Sequence, residues 1–179
     1  MSPDFKTSFK EMFEEALDNA PLKMERAVAR LLHQTKSTIS VAESVTGGLI
    51  CGRLTATPGS SEYFVGGIVA YHPRIKAINL GIDPKIIAKH GVVSEPVAGR
   101  MACGIREIFK TTLGLSSTGL AGPALKEGEP VGLTFLGLAT AKEVRVKKFI
   151  FEGTRDEIRF QASQAALALV WLYLGGGHP

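Results

Sequence analysis

Thr38-Ile39-Ser40-Val41-Ala42-Glu43-Ser44-Val45-Thr46-Gly47-Gly48-Leu49-Ile50 passes from a short β-branched segment through a turn of small residues into apolar residues at helical spacing. Residues 38–42 read as a strand, because β-branched side chains suit a pleated surface. Thr46-Gly47-Gly48 then opens a helix carrying Leu49, Ile50, Arg53 and Leu54. A strand feeding directly into a helix is the building unit of layered α/β architecture. Upstream, Phe9, Met12, Phe13, Ala16 and Leu17 predict a helix over 9–17. Pro21 opens a second helix, with Asn19 or Ala20 near its cap, continuing through Met24, Ala27, Val28, Leu31 and Leu32.

Downstream, Pro58-Gly59-Ser60-Ser61 is a turn. Residues 63–71 read as a strand whose Gly66 and Gly67 mark a bulge or a close backbone approach. Short helices follow from Pro73 through Ile78 and over 84–89. Ser94 is placed to cap a helix with Pro96 in its first turn, running to about Leu113. Residues 115–119 form a buried strand, and 133–140 and 144–151 an antiparallel hairpin joined at Ala141-Lys142. Thr154 begins a last helix over 156–174, with Ile158, Ala162, Ala165, Ala166 and Leu169 inside. Residues 1–8 and 175–179 are expected to fray. The pattern predicts one three-layer α/β domain over 1–179, with a mixed β-sheet flanked by helices.

Composition agrees. With 179 residues, 45% apolar and 21% charged, the chain has the size and content of one globular domain, which excludes a disordered class. The apolar run over 165–174 is far shorter than the roughly 18 residues a membrane span needs. The polar start, with Asp4, Lys6 and Lys10, lacks the apolar core of a secretory signal, so a cytoplasmic protein is expected. Twenty-one basic against 17 acidic residues leave a net charge of +4. These charges are scattered, densest at Arg145, Lys147 and Lys148, and form no stripe for nucleic acid. A mild excess suits a small anionic substrate. Cys51 and Cys103 read as buried thiols, and His33, His72, His90 and His178 are isolated, so neither metal nor cofactor is expected.

Four segments can carry chemistry. Glu43-Ser44-Val45-Thr46-Gly47-Gly48 lies at a strand-to-helix turn, where backbone N–H groups can donate to a phosphate or carboxylate; it also fits a plain turn, with Glu43 bonding its neighbours. Ser60 and Ser61, followed by Tyr71 and Lys76, fit serine–lysine hydrolysis, in which a neutral lysine takes the serine proton. The same residues fit a turn serine, a capping tyrosine and a surface lysine. Thr118-Gly119-Leu120-Ala121-Gly122-Pro123 lets a backbone approach a ligand, or serves turn geometry alone. Arg155 and Arg159 share a helix face and can clamp a phosphate, or pair with Asp156 and Glu152.

Taken in order, Ala42-Glu43-Ser44-x-Thr46-Gly47-Gly48, Pro58-Gly59-Ser60-Ser61-x-Tyr63-Phe64-x-x-Gly67, Tyr71-x-x-x-x-Lys76, Gly91-x-Val93-Ser94 and Thr118-Gly119-x-Ala121-Gly122-Pro123 resemble the CinA C-terminal domain family (competence/damage-inducible protein A). Its stand-alone members include PncC-type nicotinamide mononucleotide deamidases. The resemblance spans about residues 40–166. It implies hydrolysis of the nicotinamide mononucleotide carboxamide to nicotinate mononucleotide and ammonia through a serine acyl-enzyme. It places the family's serine, tyrosine and lysine on Ser61, Tyr71 and Lys76, with Ser60 as the rival nucleophile. Glu43, Ser44, Thr46, Gly47, Gly48, Ser60, Thr118, Gly119, Ala121, Gly122, Arg155 and Arg159 are the expected substrate-binding set. A homodimer or larger assembly is implied, with no nucleic-acid or membrane partner. The alternative is a non-catalytic nucleotide- or partner-binding member. The chain departs from the usual family pattern at Val45, at His72-Pro73 and over 124–127.

Overall fold

A computed structural model describes residues 24–122 and 129–176. The helix expected over 9–17, the Pro21 helix start, the departures over 124–127 and the frayed ends at 1–8 and 177–179 lie outside the described residues. The elements run α1 (Met24–Gln34), β1 (Ile39–Glu43), α2 (Leu49–Thr55), a 3-10 turn (Ser60–Glu62), β2 (Phe64–Val69), α3 (Pro73–Leu80), α4 (Pro84–His90), α5 (Glu95–Phe109), β3 (Leu113–Gly119), β4 (Leu133–Ala139), β5 (Val144–Ile150) and α6 (Arg155–Tyr173).

The sheet order is β2-β1-β3-β4-β5. The strands β2, β1 and β3 run parallel; β4 and β5 run antiparallel as a hairpin. This is the mixed sheet the sequence predicts. Ile39 pairs with Phe64 while Ser40 pairs with Gly66, so Val65 is an extra residue, a bulge in the edge strand. Helices cover both faces. On one side α1, α2 and α6 pack over Ile39, Val41, Leu113, Leu115, Leu136 and Leu138. On the other, α5 leads α3 and α4 over Ala42 and Ala70, with Val97, Met101 and Ile105 at the centre.

Small residues let α5 lie directly on the sheet. A Cβ at Gly114 would collide with the Ala102 carbonyl, and one at Gly137 would stand 2.7 Å from the Ala98 carbonyl. Ser116 Oγ uses that closeness, donating to Ala98 O at 2.7 Å. On the opposite face Arg53 binds Glu25 at 2.8 Å, Ser163 at 3.0 Å and the Gln164 side chain, tying α1, α2 and α6 together.

Three local expectations change. The helix expected to reach Leu113 stops at Phe109, because Lys110 takes φ +53° and closes it, freeing Leu113 to start β3. Ser94 stands at the cap position, but its hydroxyl donates backwards to Gly91 O at 2.9 Å rather than accepting from the helix. Gly175 and Gly176 are not frayed. Gly175 takes φ +88°, its N–H donates to Leu172 O at 3.2 Å, and the Gly176 N–H donates to Trp171 O at 2.9 Å, which closes α6 in a Schellman motif. No helix among the described residues is long and apolar enough to cross a membrane.

Candidate active site

Strand β1 lies between its two parallel neighbours. The chain leaves β1 through α2 to reach β2 on one side, then passes through α3, α4 and α5 to reach β3 on the other. Connections that diverge in this way open a crevice at the carboxyl ends of the strands, where ligands bind in open α/β sheets. Ser44 follows β1, Tyr71 follows β2, and Gly119 to Gly122 end and follow β3. A cleft of about 330 Å³ sits there, lined by Ser44, Tyr71, Gly119, Ala121, Gly122 and Arg155 among others. That is the lower range of small-ligand sites.

Ser44 is buried and held from both sides. Its N–H donates to Ser117 O at 2.9 Å. Thr46 Oγ1 and Ser117 Oγ share a hydrogen bond of 2.6 Å, fixing the turn against β3. Gly47 and Gly48 adopt φ +59° and +101°, which allow the sharp passage into α2. The fully buried Glu43 carboxylate accepts from the N–H groups of Gly48 and Cys51 at 2.8 Å and Ile50 at 3.2 Å. The α2 start therefore already holds a carboxylate supplied by the chain, and of the backbone expected to hold a phosphate at Thr46 to Gly48 the Gly48 N–H is taken by it. Burial, with Glu43 beside it, pushes the Cys51 thiol far up, so it stays protonated.

Lys76 is the most unusual group. Its side chain, on α3, has no exposed surface. Its Nζ lies 2.8 Å from Ser44 Oγ, 2.6 Å from Ala70 O and 3.2 Å from Tyr71 O. Loss of solvation lowers its pKa from 10.5 to about 8. As an ammonium, Nζ donates to all three oxygens; once deprotonated, its two N–H bonds serve the carbonyls and its lone pair faces the Ser44 hydroxyl. The His72-Pro73 departure keeps this geometry. Pro73 begins α3 and His72 Nδ1 caps it, accepting from the Arg74 N–H at 3.2 Å.

Tyr71 is 58% exposed. Its phenolic oxygen accepts from Arg155 Nη2 at 2.8 Å, and Arg155 Nη1 donates to Gly122 O at 2.6 Å. With its oxygen accepting, the phenol keeps its own proton to donate. Arg159 turns elsewhere, pairing with Asp156 at 3.2 Å and donating to Thr46 O at 3.2 Å. Thr118 Oγ1 donates to Val92 O at 3.0 Å and braces the loop before α5.

Ser61 is not in this site. It sits in the 3-10 turn before β2, beside Glu62, whose carboxylate is 3.4 Å from His33. At that end Ile39 pairs with Phe64; at the cleft end Glu43 pairs with Val69. The six-residue strand separates Ser60 and Ser61 from Tyr71 and Lys76 by about 20 Å. Neither serine can pass a proton to Lys76. The serine that stands against Lys76 is Ser44, which the sequence reading had placed among the binding residues, and not Ser61, which it had expected as nucleophile. One signal was available: Ser44 ends a strand and opens a helix, whereas Ser61 precedes a strand, at the wrong end of a parallel sheet.

A doubly wound α/β domain with a serine–lysine pair in its switch crevice is the class this geometry defines. The sequence matches the CinA C-terminal domain over residues 22–174, and the chain belongs to that family. It is 44% identical over 163 residues to a CinA-like protein of Sulfurihydrogenibium sp. (strain YO3AOP1), covering 90% of this chain and 40% of that protein. A CinA-like protein of Frankia casuarinae is 44% identical over 153 residues, 86% of this chain and 35% of the other. The chain thus spans about two fifths of the length of the curated relatives it matches. Among solved structures, the competence damage-inducible protein A of Klebsiella pneumoniae superposes with a TM-score of 0.83 at 26% identity, covering 87% of this chain and 97% of that one. The competence/damage inducible protein CihA of Agrobacterium tumefaciens gives 0.80 at 31% identity, covering 86% and 96%.

Proposed function

We propose that this chain is a serine–lysine amidohydrolase that converts nicotinamide mononucleotide to nicotinate mononucleotide and ammonia. The observation that carries the reading is the 2.8 Å contact of a fully buried lysine amine with Ser44 Oγ. Neutral Lys76 takes the Ser44 proton as Oγ attacks the carboxamide carbon. The tetrahedral intermediate collapses to an acyl-serine as the lysine returns that proton to the departing ammonia. Water, deprotonated by the same amine, then releases the acid. Tyr71 donates its phenolic proton to the developing oxyanion or relays it to the leaving nitrogen. The pyridine mononucleotide is supported by the family resemblance, by the size of the cleft and by the cation on its wall. The homodimer that the resemblance implies belongs to the same proposal; light scattering reads it.

Ammonia release from nicotinamide mononucleotide is the test, with mass spectrometry of the acylated enzyme. Ser44→Ala is expected to lose activity by about 10³-fold or more, as when a serine triad loses its nucleophile. Ser61→Ala is expected to stay within a few-fold of the parent. A nicotinoyl adduct on any peptide but the one containing Ser44, or full activity in Ser44→Ala, overturns the mechanism.

A further inference from the structure

The turn that carries Ser44 is held by three elements. Glu43, ending β1, gathers the N–H groups of Gly48, Ile50 and Cys51. Ser117 of β3 takes the Ser44 N–H and the Thr46 hydroxyl. The third hold comes from α6, where Arg159 Nη2 donates to Thr46 O at 3.2 Å. Thr46 O also accepts from the Leu49 N–H, at a longer 3.3 Å. The next two residues, Gly47 and Gly48, stand at φ +59° and +101°. Glycine has the widest backbone freedom of any residue, so a Gly-Gly step passes little stiffness from one anchor to the next. The guanidinium lies directly on this step: a Cβ at Gly47 would stand 3.2 Å from Arg159 Nη2. Its own support is firm. A capping box between Thr154 and Glu157 fixes the start of α6, and Ile158 and Ala162 are buried in the core. The ion pair of Arg159 is a different matter. Asp156 is 90% exposed, and pairs of that kind contribute little.

We propose that Arg159 is a positioning residue for the nucleophile, holding the turn over 46–48 so that Ser44 Oγ stays within reach of Lys76. The inference rests on the serine–lysine reading and deepens it. In place of the phosphate expected from the sequence, the guanidinium holds a backbone carbonyl of its own chain. Ser44 follows β1 and Lys76 lies on α3, so their 2.8 Å contact depends on the turn keeping its place. A misplacement of about 1 Å at a reacting group costs on the order of 10²-fold in rate. Loss of one anchor of three is a smaller disturbance, of about 10-fold, and it falls on the reaction rather than on binding.

The experiment reads Ser44 reactivity in the parent protein, Arg159→Ala, Arg159→Lys and Asp156→Ala, at a temperature well below unfolding. It uses nicotinamide mononucleotide and, separately, phenylmethylsulfonyl fluoride, a serine reagent that needs no amide substrate. Arg159→Ala is expected to lower kcat by about 10-fold with KM within a few-fold. It should slow sulfonylation of the Ser44 peptide, followed by mass spectrometry, by a similar factor. Arg159→Lys, whose ammonium still donates to Thr46 O, is expected to recover most of both rates. Asp156→Ala is expected to stay close to the parent in both. A loss in Arg159→Ala that lies wholly in KM makes the residue a ligand contact and overturns the proposal. A lower Tm with both rates unchanged makes it a brace of the fold and overturns the proposal equally, as does an equal loss in Asp156→Ala. A parent that releases no ammonia but is sulfonylated at Ser44 sinks the amidohydrolase reading alone, and the sulfonylation rates then decide Arg159. A parent whose Ser44 stays unmodified has no activated serine to position, which overturns the proposal as well.

Discussion

A lysine amine with no exposed surface and two backbone carbonyls as partners is a base held in one direction. Charging it costs solvation that the carbonyls only partly return, which is why its pKa falls to about 8. A general base must be deprotonated to act, so kcat/KM on the amide should rise with pH and level off above about 8. Lys76→Ala should abolish that rise along with most of the rate. A pH–rate profile that stays flat from 6 to 9 in the parent protein would reject the lysine as base. The serine choice belongs to this scale as well. The family resemblance gave a serine, a tyrosine and a lysine, and two of the three, Tyr71 and Lys76, stand at the cleft. The serine taken from the resemblance, Ser61, lies at the far end of β2, whereas Ser44 stands beside Lys76.

At the scale of elements, the start of α2 is the most exacting joint. Glu43 satisfies three N–H groups that would otherwise be orphaned at a buried helix start. Hydrogen bonds to charged groups contribute about 1.5–3 kcal/mol each, and their shared carboxylate makes the losses less than additive. Glu43→Ala should therefore cost about 3 kcal/mol, or roughly 6–12 °C in Tm for a chain of this size. It should also lower kcat more than KM, because Ser44 is the next residue. Unchanged thermal unfolding would show that water can replace the carboxylate. The α5 joint is steric instead. Gly114→Ala would push a methyl group into the Ala102 carbonyl and to 2.6 Å from Arg106 Cβ. Overpacking of this kind costs about 1–3 kcal/mol, so the denaturant midpoint should fall with the m-value unchanged.

For the whole molecule, the buried lysine couples stability to pH. Between about 8 and 10.5 the folded state holds Lys76 neutral while the unfolded chain still binds its proton. The unfolded state then carries more protons, so the lysine's contribution to stability rises with pH through that window. Below about 8 both states are charged, and the folded state bears the full cost of burying the ammonium. Lys76→Met, of similar volume and without a charge, should therefore be more stable relative to the parent at pH 7 than at pH 10. Urea midpoints for both proteins at the two pH values measure the difference, in which other titrating groups cancel. A gap that does not shrink at high pH would mean that the amine is not desolvated.

Periodicity and turn chemistry were enough to read the layers. The β-branched run before Glu43, the helical spacing after Gly48 and the hairpin at Ala141-Lys142 are local signals, and each element they predicted is present within a few residues. They also led to the mixed sheet, since a short loop forces an antiparallel pair and a helix between strands allows a parallel one. The Lys110 stop was less legible, because a non-glycine residue at positive φ leaves little trace in sequence. Strand order decided the site. Ser44, Tyr71 and Arg155 are separated by 27 and 84 residues, and no local pattern says that they meet. They meet because β1 lies between β2 and β3, which brings three strand ends to one crevice and leaves Ser61 at the far end of β2. The environments likewise belong to the tertiary structure: burial lowers the Lys76 pKa, Glu43 gathers the N–H groups of Gly48, Ile50 and Cys51, and Arg155 bonds the Tyr71 phenol and the Gly122 carbonyl.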